Sequence, residues 1–155
     1  MTIDDLRRAL AETVERGTMG VPVALRVCMQ LPALNGTLRD VWSLALEIAG
    51  SALPNHRPRR LHAQKTRHGA NGRQLSTLVS CDRGETLSIT IGCGSAAKPS
   101  LDLVLVGNRG VVRLEGGEEL IADPNATEGG TRIDPQLWDA VERSVKERRA
   151  LDVSK

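Results

Sequence analysis

The chain has 155 residues, 26% of them charged, and a formal net charge of +2 at pH 7. That length suits one domain of roughly 100 to 200 residues and excludes a second full one. The balanced charge removes nucleic acid and anionic membrane as default partners, and with Trp42 and Trp138 as the only large aromatics there are no stacking platforms for single-stranded nucleic acid.

Thr2 and Asp5 make a capping box, and Ile3, Leu6, Leu10 and Val14 recur at helical spacing until Gly17, which predicts an amphipathic helix. Val21, Val23, Leu25, Val27 and Met29 then alternate with Pro22, Ala24, Arg26, Cys28 and Gln30, the period of a half-buried strand, which Pro32 closes. A second helix is expected over 38–52, with Val41, Ala45, Ile48 and Ala52 inward and Asp40, Ser43, Glu47 and Ser51 on a polar stripe; Pro54 ends it. Strand patterns follow at 60–67, 74–81, 86–91, 101–106, 111–114 and 119–122. Between them lie hairpin signals, Asn71-Gly72, Asp82-Arg83-Gly84, Asn108-Arg109-Gly110 and Gly116-Gly117. Residues 123–130 read as a loop, after which Asp134-Pro135 opens a last helix that turns Leu137, Trp138, Val141 and Val145 inward.

The pattern specifies a single α+β domain over residues 1–155: a large, mostly antiparallel, open-faced sheet with helices packed on one face. Alternation assigns Val23, Leu25, Val27, Leu61, Ala63, Leu75, Val79, Leu87, Ile89, Ile91, Leu101, Leu103 and Leu105 to the helix side. The open side then carries Arg26, His62, Gln64, Thr66, His68, Gln74, Ser76, Leu78, Ser80, Ser88, Thr90, Val104 and Val106. Cys28, Cys81 and Cys93 lack zinc or disulfide spacing and are expected to be buried reduced thiols. No apolar run approaches the roughly 20 residues that cross a bilayer, and no signal-peptide core opens the chain, so a cytoplasmic protein is expected.

Four stretches, in order and spacing, resemble the C-terminal part of the glucose-fructose oxidoreductase, inositol dehydrogenase and MocA (Gfo/Idh/MocA) family. They are Thr13-Val14-Glu15-Arg16-Gly17 with Met19-Gly20-Val21-Pro22, Gly36-Thr37-Leu38-Arg39-Asp40, the run from Leu103 through Gly110, and Leu137-Trp138-Asp139-Ala140-Val141. The resemblance implies that the family's dinucleotide-binding domain and catalytic lysine would precede residue 1, so no cofactor is expected on this chain. It also implies that Asp40, Leu44 and Glu47 stand where active members carry an aspartate, a histidine and an acid. Leucine cannot exchange a proton with a substrate hydroxyl, so catalysis is not expected from this chain on its own. The family commonly uses the open sheet face for subunit contacts, which implies a homodimer or a complex with another protein.

Other chemistry is sparse. Gly92-Cys93-Gly94-Ser95-Ala96-Ala97 mimics a dinucleotide fingerprint, but Lys98-Pro99 stands where the helix should start, so a connecting loop is expected. His62 and His68 are six residues apart on one strand, roughly 20 Å, too far to share a metal, and no metal site is expected. Asp40, Ser43 and Glu47 are candidates for a ligand cleft, or simply the solvent stripe of an amphipathic helix. Residues 56–73 contain no acid; Arg57, Arg59, Arg60 and Arg73 are candidates for anion binding, while Lys65 and Arg67 have core parity and are expected to snorkel near a strand end. Charge protecting an exposed edge explains the same stretch.

The function expected is non-catalytic: self-association or protein docking through the open face, with His62, Gln64, Thr66, Ser76, Leu78, Ser80, Ser88, Thr90 and Val104 at the contact. The alternatives are the substrate-binding half of a split NAD(P)-dependent oxidoreductase, working with a separate dinucleotide-binding subunit, and an anion or RNA binder using the basic stretch. Nucleic acid is the weaker partner class of these, given the charge balance.

Overall fold

The computed structural model describes residues 3–32, 38–53, 55–94, 96–116 and 134–153. The first helix, α1 (Ile3–Glu15), buries Leu6 and Leu10, one turn apart on its apolar stripe. Strand β1 (Pro22–Leu31) follows, then α2 (Leu38–Ala52), which buries Val41, Trp42, Leu44, Ala45, Ile48, Ala49 and Ala52. Strands β2 (Pro58–His68), β3 (Gly72–Cys81), β4 (Thr86–Cys93), β5 (Ser100–Gly107) and β6 (Val111–Gly116) come next. Helix α3 (Pro135–Glu147) and the two-residue strand β7 (Leu151–Asp152) complete the described order. Asp134 caps α3 by accepting the Gln136 amide at 2.9 Å, and Pro135 gives up a backbone N–H that the first turn would leave unpaired.

The strands form one seven-stranded sheet in the order β6-β5-β1-β4-β3-β2-β7. Every pair is antiparallel except β1 with β4. Strand β1 therefore joins the β2-β3-β4 meander to the β5-β6 hairpin, and it does so between strands that come far later in the chain. Two turns hold its entry in place. Asn108 Oδ1 accepts the Val21 amide at 3.0 Å, while the Asn108 and Arg109 amides donate to the carbonyls of Val21 and Met19, each at 3.0 Å. Gly20 has φ +75°, and a side chain there would put its Cβ 1.9 Å from Asn108 Oδ1. Two of the stretches that carry the family resemblance thus meet in space and fix where β1 starts.

The helices cover one face, and the core lies between them and the sheet. Leu25, Val27, Leu61, Ala63, Leu75, Val79, Leu87, Ile89, Ile91, Leu101, Leu103 and Leu105 are all buried there, as their alternation predicts. Val23 departs from that expectation at 41% exposure: it lies at the start of β1, where the ladder to β5 shifts register between Pro22 and Ala24. The strand expected at 119–122 and the loop at 123–130 lie outside the described residues.

Among the described residues two polar side chains, Thr77 and Ser144, sit inside the core, and both are bonded. Trp42 is fully buried and its indole N–H donates to Thr77 Oγ1 at 2.9 Å, while its ring lies 5.7 Å from that of Trp138 at a tilt of 54°. Ser144 of α3 accepts the Ala63 amide at 2.9 Å and donates to the Arg149 carbonyl at 2.6 Å, which ties the helix to the edge of β2. A buried polar group left without a partner costs about 1–3 kcal/mol, so both contacts specify how helices meet sheet.

Candidate functional site

The open face is built from the residues that alternate with the core. Cross-strand register places Arg113, Val104, Arg26, Ser88, Leu78 and His62 in one row from β6 to β2. The adjacent row reads Glu115, Asp102, Cys28, Thr90, Ser76 and Gln64. Ser80 follows on one side of these rows and Thr66 on the other, so all nine residues expected at a contact share a single surface. On the central strands this surface carries the hydroxyls Thr86, Ser88 and Thr90 of β4 and Ser76 and Ser80 of β3, beside Ala24, Arg26, Cys28 and Gln30 of β1; Arg26 is its one cation there and Leu78, at 48% exposure, its large apolar group.

Acids collect toward β5 and β6, where Arg113 bonds Asp102 at 3.0 Å and Glu115 at 2.9 Å. These hydrogen bonds and charges hold the Arg113 guanidinium above its usual range. The expectation from sequence left Asp102, Arg113 and Glu115 off the face, although Asp102 alternates with Leu101 and Leu103 and parity alone locates it.

The three thiols differ. Cys28 is only half-buried and lies on the open face opposite Thr90 and Asp102, a departure from the buried position expected. Cys81 and Cys93 are buried on the helix side. Burial, with Glu85 and Asp82 nearby, pushes the Cys81 thiol up to about 11. Burial also raises Cys93, against the opposing pull of Arg73. Oε2 of Glu85 is itself buried without a hydrogen-bond partner.

Asp40, Ser43 and Glu47 do lie along one stripe of α2, but their side chains are engaged. Glu47 is paired with Arg7 of α1 at 2.6 Å, and the same arginine reaches Ser51 Oγ at 3.3 Å. The Ser43 hydroxyl donates back to the Arg39 carbonyl within the helix. Asp40 is exposed in the first turn, where a carboxylate complements the helix dipole. Leu44, which the resemblance expects at the family's histidine position, is buried in the core.

The basic stretch does not converge on one point. Arg60 pairs with Ser80 and Arg73 with Arg67, positions seven residues apart along β2, or roughly 24 Å. Arg57 instead borders a surface groove of about 620 Å³ between the starts of β2 and α3, whose rim also carries Arg143, Asp134, Asp139 and Asp152. That groove carries three acids against two arginines, so it does not favour anions. At the other end, Lys65, Arg67 and Arg73 lie on the helix side of the β2-β3 hairpin and all three are exposed. After Cys93 the chain leaves β4 through Gly94, at φ +83°, and the described residues before β5 form no helix, so the glycine-rich segment is a connection as expected.

Among the described residues no helix is long and apolar enough to cross a membrane. No protein-family model matches the sequence, and neither does any curated protein. The fold does match solved dehydrogenases. A "probable dehydrogenase" from Thermotoga maritima superposes with TM-score 0.72 at 15% identity, over 97% of this chain and 62% of that one. Scyllo-inositol dehydrogenase from Lactobacillus casei, solved with NAD(H) and scyllo-inositol, gives 0.73 at 10% identity, over 97% and 62%. A myo-inositol dehydrogenase from Corynebacterium glutamicum gives 0.64 at 15%, over 96% and 61%. The chain therefore spans about three-fifths of the length of these proteins, and its fold is that of the C-terminal part of Gfo/Idh/MocA dehydrogenases.

Proposed function

We propose that this chain acts by binding rather than by turnover, its open sheet face packing against the same face of a second copy. The observation that carries the reading is the face itself: short hydroxyl side chains on β4 and β3 beside Ala24 and Cys28 of β1, flanked by both signs of charge. Short side chains let two sheets approach to the usual ~10 Å, and hydroxyls bond across such a gap as donors or acceptors. Six strands ~4.8 Å apart and about seven residues long give a footprint of roughly 600 Å² per copy, the order of the ~800 Å² that each partner contributes to a stable interface. A two-fold axis parallel to the strands lays the β2 side, with His62, over the β5-β6 side, with Asp102 and Glu115. The sides that meet carry Arg60 with His62 on one and the Asp102, Arg113 and Glu115 cluster, two acids to one cation, on the other.

The helix stripe supports a ligand cleft less well, since Arg7 already holds Glu47 and Leu44 offers no proton-transfer group. Sedimentation velocity tests the proposal. The wild-type chain is expected as a dimer at tens of micromolar, and the pair Ser76→Glu with Ser88→Glu is expected to give a folded monomer. A wild-type chain that stays monomeric, or a doubly substituted one that stays dimeric, overturns it.

A further inference from the structure

Strand β2 is covered on its outer side for only part of its length. Strand β7 pairs with Arg60 and Leu61, and the Val153 amide donates to the Arg59 carbonyl at 2.9 Å. One step further, Ser144 takes the Ala63 amide. These contacts fix which backbone groups face outward: those of the odd-numbered residues, since successive peptide groups of a strand alternate sides. The Ala63 carbonyl and both backbone groups of Lys65 and Arg67 then point away from β3. No strand among the described residues lies beside them. Beyond β7 the chain runs toward Arg59, away from this stretch.

The side chains around this bare edge are of one sign. Lys65 and Arg67 are exposed on the helix side, with Arg73 directly opposite Arg67 in the register. Neither β2 nor β3 contains an Asp or Glu. None of the described carboxylates forms an ion pair with Lys65, Arg67 or Arg73, and two like charges held opposite each other repel. An occupant of this edge thus needs amide N–H groups for the outward carbonyls, carbonyls for the outward amides, and negative charge on one side. Phosphate or nucleic acid supplies acceptors but no regular array of donors. A second copy pairing edge to edge about Lys65 would bring Lys65 against Lys65.

We propose that residues 64–68 of β2 accept an extended acidic peptide segment as an added strand, its alternate carboxylates lying on the side of Lys65 and Arg67. The added strand continues the line that β7 begins, and main-chain bonds give affinity while the cations choose charge. The edge is separate from the open face, so both can be occupied together.

The test uses the full chain and a labelled, capped seven-residue peptide of alternating Glu and Val, read by fluorescence polarisation. Saturable binding is expected. Replacing Lys65 and Arg67 by Glu together is expected to weaken it by about tenfold or more, and replacing both by Gln by a smaller factor, with circular dichroism reporting that each variant is folded. Two peptides N-methylated on opposite sets of alternate amides separate strand addition from simple ion pairing: one should lose binding about tenfold or more, the other should keep it. Absence of binding, equal behaviour of the two methylated peptides, or equally tight binding of a peptide with Lys in place of Glu each overturns the proposal.

Discussion

The two faces of the sheet are made by alternate residues of the same strands, yet they carry opposite instructions. On β4, Leu87, Ile89 and Ile91 are fully buried, while Thr86, Ser88 and Thr90 between them remain half-exposed. Backbone propensity cannot distinguish the two sets, because Thr favours strands as Ile does. The difference lies in what each face meets. Helices cover one and remove its side chains from water, so its stability depends on volume and on bonded polar groups. The other retains hydroxyls that water or a partner can equally engage, so its composition reports on contact rather than on folding.

This contrast can be broken most forcefully on the covered side. Trp42→Ala removes a fully buried indole that bridges α2, Thr77 and Trp138, and is expected to cost about 3–5 kcal/mol, read as a large fall in the urea midpoint. A milder change keeps the volume and deletes the two bonds of one hydroxyl, accepted from Trp42 and donated to the Ile89 carbonyl. Thr77→Val leaves the buried Trp42 N–H without its acceptor and should cost about 1–3 kcal/mol in the same measurement. Leu78→Thr, one residue along the same strand but on the open side, should cost less than about 0.5 kcal/mol when measured on protein dilute enough to be monomeric. A large loss from the third change, or none from the first, would mean that the faces are not energetically distinct.

Much of this was legible from the chain alone, for identifiable reasons. Helix α2 was readable to its ends because Leu38 follows turn chemistry, the apolar stripe is regular, and Pro54 stops it. The inward set on β3, β4 and β5 was readable because one parity is consistently aliphatic. Thr77 escaped the expected core because its hydroxyl reads as surface, and only the distant Trp42 indole makes it a core residue. Val23 was misplaced because alternation cannot report a register shift at a strand's start. Lys65 and Arg67 show the converse limit: parity alone gave their side of the sheet, and it took their charge to place them near a strand end, where they stand exposed. The contact residues could be assigned to one face by counting, whereas the division of the basic stretch into separate ends depended on strand length and pairing.

The central position of β1 bears on how the molecule assembles. Its parallel ladder to β4 joins residues some sixty positions apart, while the hairpins β2-β3, β3-β4 and β5-β6 close over short loops. Local hairpins close early and distant parallel pairings late, because loop entropy opposes the latter. Strand β1 precedes both the meander and the β5-β6 hairpin in the chain and must therefore wait for them before it can zip the two halves together. With docking of β1 as the last step, a substitution at Gly20 or Asn108, which seat β1, is expected to slow folding by up to the factor by which it destabilises the finished structure and to leave unfolding nearly unchanged, read from the two arms of a denaturant chevron.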